Sequence, residues 1–483
     1  MNRRDTRVLL AALALLGIAA FLILNLDRLH MHPDEELSYR ATEGDLIDVL
    51  RWQIELQDNQ APLWFVILRI WRTFAGDAEA TSRVMGILLV LPALALLMRW
   101  ARLVVGWRAA IILPLLLVGN GMFFQYTLDI RMYPLVMLTA ALSTYALFRW
   151  SHERTPRSAA LYGITLALML YTHYLLIFLI AAHGLFVLWI IAADRRRVRR
   201  IIVEAGAAAI GAVLWLPWLP VMLTQIAHLR AVEAASGTAR GGVGIGVSTL
   251  ATTQESVEAL IGFASNGLAP LYALLAVVGV ALAWRHGRAA RRTLVLALLW
   301  AVGSTAITLI VNRVAGVYAP RYVAHLTLGI ALVIAVPVAL LPIGRLARGL
   351  LVVGFVVLNL ATFSASLPIR IPYRDLLQQL GAAAQPDDVI LLARGGEGDG
   401  FVQWQLQHYL PLALRDNITT DLDSALRSPR IWLLTGDWFN QSVRATFDAI
   451  EPDYPLRLVI GDCTRSWCYL AQLLQVRDRP AFE

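Results

Sequence analysis

The sequence predicts a polytopic α-helical membrane protein of about 11 transmembrane helices, followed by a small C-terminal α/β domain on the outer side. Three observations predict it. Hydrophobic residues fill 58% of 483 positions and charged residues only 16%, with a mean hydropathy of +0.61, a balance foreign to soluble globular domains. Apolar runs long enough to cross a bilayer recur as far as Phe363. From Pro368 onward the apolar runs shorten to strand length and alternate with polar helical stretches. A membrane module over 1–366, with an acidic outer loop at 27–83, and a soluble domain over 367–483 are the expected divisions.

In chain order, a basic head at 1–7 precedes the first span, 8–26. No small-residue cleavage site precedes Asp27, so this run reads as a retained anchor rather than a signal peptide. The run 62–74 is too short to cross and carries Arg69 and Arg72, which fits an interfacial helix. Spans follow at 84–105, 109–126, 133–150, 159–174, 175–192, 201–223, 268–284, 293–311, 322–341 and 350–363, with 256–264 as a second interfacial piece.

Charge orients them. If the N-terminus is cytoplasmic, the inner connections are 106–108, 149–157, 194–200, 285–292 and 344–348, and every one is basic. The outer connections, 27–83, 127–132, the border near His173, 224–266 and 312–321, are not comparably basic. The soluble tail then lies outside, in the periplasm if the membrane is a bacterial inner membrane.

In that tail, strands are expected at 389–393, 430–434, 456–460 and 469–476, and helices at 373–380 and 401–409. Cys463 and Cys468, the only cysteines, are either a local disulfide in an oxidising compartment or two thiols. Asp421 and Asp423 form a lone Asp-x-Asp that reads as surface turn chemistry, and no GxxxxGK[ST] phosphate loop occurs. The net charge of +8 comes entirely from Arg, with no Lys, so side-chain cations that hold phosphate here are guanidinium groups.

The densest polar stretch is 27–60, which packs acids, two histidines and aromatics between membrane-seeking segments. It is either a solvated acidic loop or a functional site. The topology favours the second. Asp34, Glu35 and Asp58 lie on this loop; Asp129, Arg131 and Tyr133 lie at the 127–132 connection; Thr172, His173 and Tyr174 lie at the border; Arg321 and Tyr322 open the 322–341 span. Polar groups from distant segments thus meet one membrane face. Glycosyl transfer from a lipid-phosphate sugar needs such a set, with a carboxylate to take the acceptor proton and cations to stabilise the departing phosphate. Bland roles compete at single positions: Arg321 as a snorkelling helix end, Tyr133 and Tyr174 as belt aromatics, His173 as a packing histidine. His30, His32 and Asp34 are the residues that would support a bound divalent cation.

The segments HPDEELSYR, DNQAPLW, DIRMYPL, YTHYL and APRYV occur in an order that resembles the GT-C membrane glycosyltransferases. The resemblance is to the branch of protein O-mannosyltransferases and lipid A aminoarabinose transferases, glycosyltransferase family 39-like, and it covers roughly 8–341. It implies Asp34 as the catalytic base with Glu35 beside it, Asp58 as a second pocket acid, and Arg131 and Arg321 on the lipid phosphate. Asp129, Tyr133, His173, Tyr174 and His32 would line the sugar or acceptor pocket. The implied reaction is an inverting transfer from a polyprenyl-phosphate donor to a glycan, lipid or protein acceptor. The chain departs from the family at Gln60-Ala61-Pro62-Leu63, where members carry Pro-Pro-Leu or Lys-Pro-Pro; the missing Lys leaves one phosphate contact open, with Arg69 as the candidate replacement. A transporter or flippase is the alternative function, and a non-catalytic assembly subunit a third. Transporters commonly place ionisable groups near the midplane in repeated halves, and neither feature is evident here.

Overall fold

A computed structural model describes residues 3–55, 60–193, 198–235, 253–315, 317–367, 370, 372–392, 399–435, 450, 456–463 and 468–475. The chain divides into two compact units, one of 1–27 and 38–368, the other of 28–37 and 369–483.

The first unit is helical: α1 Arg3–Ile23, the end of α2 Pro33–Arg40, α3 Leu46–Ile54, α4 Leu63–Ala75, α5 Glu79–Val104, α6 Trp107–Leu115, α7 Gly121–Leu128, α8 Tyr133–Glu153 and α9 Pro156–Thr172. Then come α10 Ile177–Ala193, α11 Val198–Trp215, α12 Leu219–Ala235, α13 Thr253–Ala264, α14 Ala269–His286, α15 Arg288–Leu298, α16 Ser304–Ala315, α17 Leu326–Leu340 and α18 Arg345–Ser366. The short helices expected around 62–74 and 256–264 are α4 and α13.

Among the described residues, seven helical segments are long and apolar enough to cross a bilayer, and α7 with α8 make an eighth if that pair, bent by 109°, is one span. The remaining expected spans are also helical but broken or shorter, with 17 residues in α9 and 15 in α17. The run 109–126 breaks into α6 and α7 around Gly119, whose φ of +76° suits glycine. Of the other runs, 133–150 is helical throughout within α8, 159–174 is helical in α9 as far as Thr172, and 322–341 gives its first residues to the 3-10 turn Pro320–Val323 before α17. Non-helical backbone at membrane depth survives only inside protein or beside a water-filled cavity. Accordingly, every residue from Asn120 to Tyr133 is buried.

Close packing holds these breaks. Gly86 of α5 lets the backbone of α7 approach so closely that an added Cβ would lie 2.1 Å from the Thr127 carbonyl oxygen. Three residues earlier, buried Arg83 takes the Glu79 carboxylate at 3.0 Å through Nε and donates through Nη1 to the Leu128 carbonyl at 2.7 Å. The end of α7, one residue before Asp129, is therefore fastened to α5.

In the second unit, α19 Tyr373–Ala383, β1 Val389–Leu392, α20 Asp399–Tyr409, α21 Leu412–Arg415, β2 Ile418–Thr419, α22 Leu422–Ala425, β3 Arg430–Thr435, β4 Leu456–Cys463 and β5 Cys468–Gln475 follow in order. The sheet order is β2-β1-β3-β5-β4, with β1 parallel to both neighbours and β5 antiparallel to both of its own. All four strands expected from sequence form; the two-residue β2 is too short to leave an alternation. Leu391, Ala425, Ile431, Leu433 and Ile450 make a core cluster. In the β4–β5 ladder Cys463 stands opposite Cys468. Asp421 is exposed and caps α22 by accepting the Ser424 N–H at 3.2 Å.

Asp388, buried just before β1, accepts Arg430 Nε at 2.6 Å, Trp432 Nε1 at 2.8 Å and the Gln385 N–H at 2.9 Å. Burial pushes its carboxyl upward, but the hydrogen bonds from Arg430, Gln385 and Trp432 outweigh this and hold it below the usual carboxylate range. Breaking a buried pair by removing one partner costs about 3 kcal/mol or more, so Asp388→Ala should lower the melting temperature of this unit substantially. A carboxyl held low in the folded state stabilises fully above its unfolded value of about 3.9. Stability in wild type should thus erode as pH falls through the lower folded value, and this acid-sensitive component should be missing in Asp388→Ala.

Candidate active site

The start of α2 can be read residue by residue. His32 Nδ1 accepts the Asp34 N–H at 3.2 Å, its carbonyl accepts the Glu35 N–H at 2.8 Å, and its own N–H is donated to Glu35 Oε2 at 2.8 Å. This is the reciprocal exchange of a capping box with a histidine at the cap, and Pro33 occupies the first helical position, where no N–H is needed. Asp34, Glu35 and Glu36 fill the first turn, where the helix dipole favours negative charge.

The two adjacent acids then part. Glu35 is 1% exposed and also takes Arg370 Nη1 at 2.9 Å. The same Nη1 donates to the His30 carbonyl at 2.9 Å. Asp34 keeps 32% of its side chain exposed, with Oδ2 3.9 Å from His32 Nδ1. Of the two acids, Asp34 is the more exposed and Glu35 the one held by Arg370 and the His32 N–H.

The remaining described candidates belong to the first unit. Arg131 is buried in the bend between α7 and α8 and donates through Nη1 to Ser38 Oγ at 3.2 Å. Asp129, also buried, ends α7 by donating its N–H to the Gln125 carbonyl at 2.8 Å. Tyr133 opens α8 with its ring set edge-on to Tyr126 at 5.0 Å. His173 follows α9; its Nδ1 accepts the Leu175 N–H at 3.2 Å, which leaves Nε2 to carry the hydrogen of the neutral ring. That ring lies 5.1 Å from the ring of Tyr322 and within the electrostatic reach of Arg131, His325 and Arg321. Arg321 stands over the Tyr322 ring, 5.3 Å from its centroid. His173 and Arg321, from two breaks in the helical run far apart in sequence, thus share the Tyr322 ring, and Arg131 at a third break acts on His173 through its charge.

Tyr174 has a different setting. Its hydroxyl donates to Gln225 Oε1 at 2.8 Å and accepts Trp218 Nε1 at 2.8 Å. Gln225 Nε2 in turn donates to the carbonyls of Gln53 at 2.9 Å and Gln60 at 3.4 Å, the residues flanking the loop that carries Asp58. Asp58 itself lies outside the described residues. Among the described residues, no group of three or more His, Cys, Asp or Glu is arranged to hold a metal ion.

A cleft of about 650 Å³ opens in the first unit, lined by Gln125, Tyr126, Gly262, Phe263, Asn266 and Pro320 among others. Its floor is shaped by Asn266 in the left-handed region at φ +52°, which donates to the Gly119 carbonyl at 2.6 Å and accepts the Gly121 N–H at 2.9 Å.

Sequence reasoning missed Ser38, His325, Gln225 and Arg370 in these roles. Gln225 had a usable signal, a buried amide in an apolar run. Arg370 had none, since a single arginine beyond the last span resembles any surface charge.

Residues 59–220 match the family model described as dolichyl-phosphate-mannose-protein mannosyltransferase. In overall structure the chain is similar to ArnT from Cupriavidus metallidurans bound to undecaprenyl phosphate, with 13% identity, 98% of each chain covered and a TM-score of 0.55. The apo form of that protein matches with 14% identity, 96% of this chain and 97% of that chain covered, and a TM-score of 0.55. The oligosaccharyltransferase AglB from Archaeoglobus fulgidus, in complex with an inhibitory peptide and a dolichol-phosphate, aligns more loosely, with 12% identity, 97% and 74% covered, and a TM-score of 0.47. No curated protein matches the sequence.

Proposed function

Taking the GT-C fold of membrane glycosyltransferases, which this chain shares, as the premise, we propose that it moves a sugar from a polyprenyl-phosphate donor to a hydroxyl or amine acceptor on the exoplasmic side. The observation that carries this reading is that His173 packs 5.1 Å from the ring of Tyr322, over which Arg321 stands, and feels the charge of Arg131 as well as that of Arg321. Two guanidinium groups supplied by breaks in membrane helices suit a phosphate at the membrane boundary.

In the proposed reaction Asp34 takes the acceptor proton as the acceptor oxygen or nitrogen attacks the anomeric carbon. The bond from that carbon to the phosphate oxygen breaks, and both its electrons leave with polyprenyl phosphate. Arg131 and Arg321 stabilise the charge that grows on the phosphate, which is a good leaving group without a general acid. One displacement inverts the anomeric centre. Asp129, Tyr133, His173, Tyr174 and His32 are the proposed sugar or acceptor contacts, and Asp58 a second acid of the pocket. The excess of Arg in the connections assigned to the inside supports a multi-pass bacterial inner-membrane protein with its N-terminus in the cytoplasm and its C-terminal domain in the periplasm.

The cleft beside Pro320 has the apolar lining a polyprenyl chain needs. Gly262 lines it, and an added Cβ there meets nothing within 4 Å, so Gly262→Trp should narrow the cleft. The expected result is a donor KM raised on the order of tenfold, equivalent to about 1.4 kcal/mol, with kcat little changed. A donor carrying only a short prenyl chain should be indifferent to the change; equal effects on both donors would move the lipid elsewhere.

The test of the function is turnover in reconstituted lipid, with polyprenyl-phosphate sugars supplied singly and free polyprenyl phosphate measured. Release that requires Asp34 supports transfer and names the sugar. Donors bound but never consumed, with an acceptor-rich membrane extract present, would redirect the reading to transport and to flux across proteoliposomes.

A further inference from the structure

We propose that Arg370 is a positioning residue for Asp34, so that the C-terminal domain supplies part of the frame on which the chemistry depends. The inference rests on Asp34 acting as the base. Both hydrogens of Arg370 Nη1 are used on the acid-bearing turn, one on the His30 carbonyl and one on Glu35 Oε2, each at 2.9 Å. His30 precedes the helix cap and Glu35 lies one residue beyond Asp34, so the guanidinium staples the turn across the acid.

The burial of the pair makes the staple stiff. The Arg370 side chain is 7% exposed and that of Glu35 1%, so neither charge relaxes readily into water. Glu35 Oε2 also receives the His32 N–H, which joins the ion pair to the cap that begins α2. The backbone at 30–35 is thereby tied to a residue 335 positions downstream of Glu35. A base must stand within hydrogen-bond reach of the proton it removes, and a displacement of about 1 Å costs on the order of 100-fold in rate. Loss of the staple should therefore appear in kcat more than in donor binding. Arg370 touches neither acceptor nor donor in this account; it acts through Glu35.

The experiment measures kcat, donor KM and melting temperature for wild type, Arg370→Ala, Arg370→Lys, the double variant Glu35→Gln with Arg370→Gln, and Asp34→Asn. Arg370→Ala should lose kcat by about 30- to 100-fold, with donor KM within about threefold of wild type. Both bonds come from one nitrogen, so the three-donor ammonium of Arg370→Lys should recover most of the loss. Guanidinium ion added to Arg370→Ala should raise its kcat and leave wild type unchanged.

The double variant separates positioning from mere charge balance. It leaves no buried charge unpaired, so melting should return toward wild type while kcat stays depressed; kcat recovering in step with melting would overturn the proposal. Wild-type kcat in Arg370→Ala would overturn it too. The base assignment fails separately: if Asp34→Asn turns over normally, that reading falls whatever Arg370 does. A dead Asp34→Asn beside a normal Arg370→Ala would remove the positioning role alone.

Discussion

Asp34→Asn is expected to lower turnover by about 10³-fold while leaving the protein folded and the donor bound. Asn is nearly isosteric and keeps an oxygen acceptor, but it cannot take a proton at neutral pH. General-base contributions of about 10² to 10⁴ in rate set the scale. Folding should survive because Asn keeps the size of the side chain and the backbone N–H that His32 Nδ1 accepts at the cap of α2. The measurement is release of free polyprenyl phosphate under saturating donor, with donor affinity determined in parallel. Retained turnover would remove Asp34 from the base role. Glu35→Gln supplies the contrast: it weakens the bond with Arg370, so its loss of activity should come with a lower melting temperature, whereas that of Asp34→Asn should not.

The second large effect is expected at Arg131 and Arg321. Removing one preorganised donor from a developing anion typically costs about 10² to 10³ in rate, so each Ala variant should lose that much in kcat/KM. Arg131→Lys should recover only part of the loss, because a point charge on a flexible stem replaces a planar fork and the link to Ser38 must be remade. The two sites both act on His173 and would share one phosphate, so the double variant should lose less than the product of the single losses. Each variant should also bind the released polyprenyl phosphate more weakly. An Arg variant that keeps full kcat/KM and normal product affinity would show that the phosphate rests elsewhere.

Different physical signals explain why some of this was legible in sequence and some was not. The apolar runs, the two short helices α4 and α13, and the strands β1, β3, β4 and β5 are visible because burial imposes a period or a length on the residues that form them. The candidates Asp34, Arg131, His173 and Arg321 stand out because charge and imidazole are costly beside a membrane. The number of spans was less legible. Hydropathy registers that 109–126, 159–174 and 322–341 are apolar, but it does not register that a buried bend or a 3-10 turn can end a helix inside such a run. Those endings depend on partners elsewhere, as Arg83 shows by fastening the end of α7 from α5.

Sequence alone therefore determined the fold class, because it follows from local composition and period. Tertiary structure decided how the polar residues are used. It set Asp34 apart from Glu35, packed His173 on Tyr322 beneath Arg321, and tied Gln225 to the carbonyls flanking the Asp58 loop. It also tied Arg370 to Glu35 across 335 positions. The reason is that an ion pair or hydrogen bond between distant segments leaves no period in either of them. It exists only after the chain has closed the loop between them, and the energy that keeps a buried Glu beside a buried Arg belongs to the pair, not to either residue.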